Sequence, residues 1–165
     1  MSWTAADTCV LAANILGWPA IHLAVSAWIL RWPAERFDPR ARLYRARRWE
    51  AEGRIYEMLF RVRSWKGMLP EGAAFFRGGF RKAKLLRRDP EYIERFIRET
   101  CRGELVHWVT LAFAPLFILW NPAWAIAVMM GYGIVANVPC IVTQRYNRLR
   151  LARAAAHQRT RSRGQ

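Results

Sequence analysis

The chain has 165 residues, 53% of them hydrophobic, with a formal charge of +15 and a pI near 11.2. Such a cationic excess suits nucleic acid, where cations gain by releasing phosphate counterions, but no zinc-ligand spacing, RNP-like strand or long basic helix accompanies it. Anionic lipid headgroups attract the same cations, so a membrane surface is the expected partner and nucleic acid is not. Three cysteines, Cys9, Cys101 and Cys140, are odd in number and widely spaced, which signals neither a disulfide framework nor a metal site.

All 27 Lys and Arg residues lie in stretches 31–102 and 145–163, while 1–30 and 103–144 contain none. A charged side chain is costly at the bilayer centre and cytoplasmic flanks retain cations. The basic stretches and the C-terminus therefore belong on the cytoplasmic side, and the cation-free stretches are spans. The predicted fold is an all-α integral membrane protein: one multi-pass domain of the cell membrane. Transmembrane helices are expected at about residues 8–30, 104–120 and 122–143, with amphipathic interfacial helices on the cytoplasmic face within 31–103 and a basic tail over 145–165.

The first span is apolar apart from Asn14, His22 and Ser26, and Arg31 and Trp32 close it at headgroup level. A signal peptide would also be hydrophobic here, and Ala24-Val25-Ser26-Ala27 resembles a cleavage site, but nothing basic precedes the apolar core, so a retained helix is expected. His22 is read as a neutral histidine packed against another helix, although an intramembrane ionisable residue is a functional suspect by default.

In the cytoplasmic segment, Ile55, Met58, Leu59, Val62, Trp65 and Leu69 recur at three and four among Arg54, Arg61, Arg63 and Lys66, the layout of one helix lying in the interface plane. Phe75, Phe76, Phe80, Leu85 and Leu86 form a second basic and aromatic stretch. Asp89 and Pro90 then read as the cap and first position of a helix that carries the chain into the bilayer if Gly103 does not break it.

Asn121-Pro122, between Trp120 and Trp124, divides the second apolar region into a transmembrane hairpin. Equal rise per residue on its two arms places His107 level with Asn137, Glu104 with Cys140 and Arg102 with Val142. Glu104 and His107 share a helix face, and a carboxylate beside an imidazole can orient the ring to take a proton from a hydroxyl; the alternative is a structural pair anchoring a helix end. Pro139 leaves the Val135 carbonyl without its helical donor, so Asn137 either satisfies the local backbone or donates to an oxyanion. At the span's end, Gln144, Arg145, Asn147 and Arg148 gather hydrogen-bonding groups, with the two arginines either snorkelling to lipid or binding a phosphate. No serine lies in a Gly-x-Ser-x-Gly elbow, which argues against a serine acyl-enzyme.

Three polar motifs then stand in order: Glu104-Leu105-Val106-His107-Trp108, Ala136-Asn137-Val138-Pro139 and Gln144-Arg145-Tyr146-Asn147-Arg148. With Val62-Arg63-Ser64-Trp65-Lys66 they resemble the glycosyl-4,4'-diaponeurosporenoate acyltransferases of bacterial carotenoid pathways, over roughly residues 60–151. The resemblance implies an enzyme that esterifies a sugar hydroxyl of a glycosylated carotenoid, or of a related glycolipid, at the membrane. His107, oriented by Glu104, would deprotonate the acceptor, which attacks an acyl-CoA or acyl carrier protein thioester directly; Asn137 would stabilise the oxyanion. Arg102, Gln144, Arg145, Asn147, Arg148, Trp65, Lys66 and Trp108 would bind the substrates, with no metal and no resident cofactor. The rival reading is a non-catalytic basic adaptor recruiting a partner enzyme to anionic lipid, which leaves Glu104, His107 and Asn137 without a role.

Overall fold

The computed structural model describes residues 4–69 and 89–163, with side chains as far as 157. The expected basic and aromatic stretch around Phe75, Phe76 and Phe80 lies outside the described residues. Among the described residues every regular element is helical. Three helical stretches are long and apolar enough to cross a membrane: Ala5–Leu30, Pro90–Leu119 and Ala123–His157.

Helix α1 spans Ala5–Leu30 and opens on a capping box in which Asp7 N donates to Thr4 Oγ1 at 3.2 Å and Thr4 N donates to Asp7 Oδ2 at 2.9 Å. After it, 3-10 turns at Ala34–Arg36 and Arg48–Gly53 lead to helix α2 (Arg54–Phe60) and helix α3 (Val62–Trp65). The single interfacial helix expected from periodicity is broken at Arg61, which adopts a left-handed conformation with φ 47°. The break has local causes: Ser64 N and Oγ both donate to the Arg61 carbonyl, and Arg63 N donates to Glu57 Oε2. Tyr56 and Val62 thereby turn inward, while Met58, Leu59, Phe60 and Met68 remain exposed.

Helix α4 (Pro90–Ala112) starts as its sequence predicts, with Asp89 accepting from Tyr92 N and Pro90 at the first position. Gly103 does not interrupt it; the α-helix ends at Ala112, and a 3-10 stretch over Ala114–Leu119, with Pro115 in its first turn, carries the chain to the hairpin. Helix α5 then runs unbroken over Ala123–Arg163, through Pro139 and into the basic tail. α4 packs against both α1 and α5.

The packed helices are tied level by level. At the hairpin end, Asn14 and Asn121 exchange amide hydrogen bonds of 2.8 and 2.9 Å, and Trp120 Nε1 adds a third at 2.9 Å to Asn14 Oδ1. Uncompensated amides would be expensive in an apolar setting, so this pairing fixes the register of α1 on the hairpin. One level on, Trp18 stacks on Phe117 with ring centroids 5.0 Å apart and lies so close to α5 that a Cβ on Gly133 would stand 2.5 Å from its ring. At the basic end, Arg102 Nη1 donates to the Leu30 carbonyl at 2.9 Å, capping α1, and its guanidinium covers the Phe37 ring at 4.8 Å. Between these levels lies the candidate site.

Candidate active site

Two polar assemblies stand one above the other. The deeper one consists of His107 on α4, Asn137 on α5 and His22 on α1. His107 Nδ1 lies 3.0 Å from Asn137 Oδ1, and Asn137 Nδ2 donates to the Gly133 carbonyl at 2.9 Å. The second bond determines which way the amide points: its oxygen, which can only accept, faces the imidazole. His107 Nδ1 therefore donates the hydrogen, and in the neutral imidazole Nε2 is then the basic nitrogen. The Asn137 side chain serves both its own helix backbone, through Gly133 rather than the Val135 carbonyl freed by Pro139, and the histidine. The His22 ring packs against that of His107 with centroids 5.2 Å apart.

The second assembly, nearer the basic end, is a network of buried charge. Glu104 is fully buried; its Oε1 accepts from Arg145 Nη1 at 2.9 Å and Trp108 Nε1 at 3.3 Å, and its Oε2 from Arg148 Nη2 at 2.5 Å. Arg145 also grips Glu50 with Nε at 2.8 Å and Nη2 at 3.1 Å, and reaches the Leu43 and Arg45 carbonyls. Glu50 is fully buried too, and takes the Tyr56 hydroxyl and Arg47 N, each at 2.6 Å. Two carboxylates thus meet two guanidinium groups. Burying either sign alone would cost several kcal/mol, so the network is tolerable only because the charges balance and hydrogen bonds meet most of their donors and acceptors.

The same environment sets the titration of the loop groups. Burial alone pushes the Glu50 carboxyl up, but hydrogen bonds from Arg145, Tyr56 and Arg47 outweigh it and hold the group below the usual carboxylate range. Burial first, and then the neighbouring Glu50, pushes the Tyr56 phenol up to about 12.

The structure separates the residues expected to act together. Sequence spacing set Glu104 beside His107 as its orienting acid; here the carboxylate is occupied by Arg145, Arg148 and Trp108, and Asn137 makes the orienting contact with the ring. Side-chain direction accounts for this. Side chains lean toward the N-terminus of their helix, so Glu104 leans to the basic end while Arg145 and Arg148 lean back from beyond Cys140 to meet it. Arg145, expected to grip a donor, has all three guanidinium nitrogens bonded to the protein. Arg148 is different: Nε and Nη1 are buried without a hydrogen-bond partner, as is Gln144 Oε1 one turn away.

The remaining candidates lie apart. Lys66 Nζ donates to Asn147 Oδ1 at 2.8 Å and sits over the Tyr146 ring, while Trp65 Nε1 donates to the Phe60 carbonyl at 2.7 Å. Arg102 lines a groove of about 690 Å³ between the end of α1 and the first half of α4, together with Arg31, Trp32, Arg95 and Arg98. Glu50, Tyr56 and Tyr44, whose ring lies 5.6 Å from the Arg148 guanidinium, were not anticipated as part of the site. The available signal was an acidic residue with an aromatic neighbour in a stretch otherwise rich in arginine, followed by Gly53 at φ 89°.

The α-helical protein with three candidate spans thus carries an imidazole–amide pair beside a buried charge network. The profile of the glycosyl-4,4'-diaponeurosporenoate acyltransferases matches residues 40–157. A protein of that name from Staphylococcus haemolyticus (strain JCSC1435) is 37% identical over 134 residues, covering 81% of this chain and 78% of the relative. Namesakes from Staphylococcus aureus strains bovine RF122 / ET3-1 and MRSA252 are each 30% identical over 81% of both chains. No solved structure matches this chain significantly. The chain belongs to the glycosyl-4,4'-diaponeurosporenoate acyltransferase family, and it is an acyltransferase.

Proposed function

We propose that this protein works within the cell membrane, its basic segments and C-terminus cytoplasmic, and transfers a fatty acyl chain from a thioester to a sugar hydroxyl of a glycosylated carotenoid or related glycolipid. His107 is the general base. Its Nε2 takes the hydroxyl proton as the sugar oxygen attacks the thioester carbonyl; the tetrahedral adduct collapses with cleavage of the carbon–sulfur bond, and the same nitrogen returns the proton to the departing thiolate. The observation that carries this reading is the Asn137 contact, which leaves Nε2 as the basic nitrogen.

Asn137 holds the ring. Glu104 and Arg145 hold the helices that carry it, and the buried Arg148 and Gln144 atoms that lack a partner in the protein are the groups suited to pair with a polar substrate. The half-exposed Trp108 borders His107 on the chain and suits the polyene or acyl tail. Arg102 and its groove suit a polar headgroup, and Trp65, Lys66 and Asn147 complete the outer wall. The exposed Trp49, Met58, Leu59, Phe60 and Met68, flanked by Arg54, Arg61 and Arg63, suit contact with the inner headgroups.

The test is transfer of a labelled acyl group to a glycosylated carotenoid acid by purified protein, with acyl-CoA and acyl carrier protein donors compared. His107→Ala is expected to lower the rate by about 100-fold or more, the usual contribution of a positioned base. Undiminished transfer by a normally inserted His107→Ala protein would overturn the assignment and favour the adaptor reading.

A further inference from the structure

The imidazolium that forms on His107 during proton transfer raises a physical difficulty. A cation inside an apolar helix bundle needs compensation, and the nearest carboxylate on its own helix, Glu104, is already neutralised by Arg145 and Arg148. Asn137 stabilises the charged ring through Nδ1, in the plane of the imidazole. The group packed against the ring from α1 is His22, with centroids 5.2 Å apart and planes inclined by 40°. That separation falls within the roughly 6 Å over which an aromatic face attracts a cation.

We infer that His22 is a positioning residue of the active site: its neutral ring packs against the His107 imidazole, keeps it directed at Asn137, and supplies a polarisable face to the charge that develops in the transition state. His22 exchanges no proton; the proton passes from the acceptor hydroxyl to His107 Nε2 and then to the leaving sulfur. The first helix thereby becomes part of the active site as well as an anchor. All three candidate spans contribute one polar side chain to a single level, His22, His107 and Asn137. The Asn14–Asn121 and Trp18–Gly133 contacts hold α1 in the register that the pairing needs.

This inference rests on His107 being the base, so the experiment includes His107→Ala beside His22→Leu and His22→Phe in the full chain, reconstituted in liposomes and assayed for acyl transfer. His22→Leu is expected to lower kcat about tenfold while KM for the acceptor changes less than about twofold, because the interaction strengthens only as charge forms. His22→Phe, which restores an aromatic face of similar size, is expected to recover most of the loss. A role in packing alone would not produce that split or that rescue. His22→Met, unbranched and adaptable, supplies a second non-aromatic variant with the same expectation should the leucine protein fail to insert. Full kcat in the non-aromatic variants, or a phenylalanine variant no better than leucine, overturns the role of His22. Full activity in His107→Ala instead overturns the base assignment.

Discussion

The two polar assemblies solve the problem of polarity in an apolar protein in opposite ways. Around Glu50, Arg145 and Glu104, full charges are buried and nearly every donor and acceptor is met within the protein. Around His107 the contacts are of another kind: an imidazole–amide hydrogen bond, an amide-to-backbone bond and a ring packed on a ring. Apart from Arg148 and Gln144, that charge network has little capacity left for a ligand, whereas in the proposed mechanism the imidazole gains charge during the reaction. On the proposed function, rigidity belongs to the basic end and the chemistry to the level inside it.

Breaking the rigid half gives the largest expected effect. Arg145→Met leaves Glu50 without a charge partner and Glu104 with Arg148 alone, at an expected cost of about 3–5 kcal/mol in stability, read as a large drop in melting temperature in detergent. At the His107 level, Asn137→Leu removes the acceptor that fixes the imidazole without removing the proposed base. Transfer is expected to fall about 100-fold with little change in melting temperature, and equal losses of stability in both variants would erase the distinction. Gly133→Ala tests the connection between the halves, because its Cβ meets Trp18 at 2.5 Å. Separating α1 from α5 should cost about 2 kcal/mol and weaken transfer as His22 withdraws from His107.

The smallest effect is on acid stability. Glu50 titrates lower in the folded protein than in the unfolded chain, so its contribution is present above the ordinary carboxylate range and is lost as the pH falls through the folded value. Melting temperature followed from about pH 6 to about pH 3 should decline, and Glu50→Gln should flatten part of that slope. A steeper slope in the variant would mean that the folded carboxyl is raised.

Much of the architecture was legible because the bilayer imposes strong constraints on a chain. Clearing Lys and Arg from 1–30 and 103–144 outlines the spans, and Asn121-Pro122 marks the turn. The meeting of His107 with Asn137 followed from counting equal rises on two arms, since the hairpin makes depth a function of sequence distance. Counting failed where long side chains lean along the helix axis: it set Glu104 against Cys140, whereas the carboxylate reaches Arg145 and Arg148. Glu50 was hidden because its partner is 95 residues away and its position depends on left-handed backbone at Ala51, Glu52 and Gly53, which periodicity cannot express. The break at Arg61 was hidden for a related reason: apolar spacing describes a face, and hydrogen bonds from Ser64 decide whether the helix continues.

The proposed mechanism turns on one proton: His107 keeps its hydrogen on Nδ1, bonded to Asn137 Oδ1, and uses Nε2 as the base. Nitrogen-15 NMR of protein labelled at histidine, assigned through His107→Ala and His22→Phe, reads that proton directly. The account predicts a neutral His107 with a protonated Nδ1 that shifts on Asn137→Leu. A resting His107 protonated at Nε2, or one indifferent to Asn137, would contradict it.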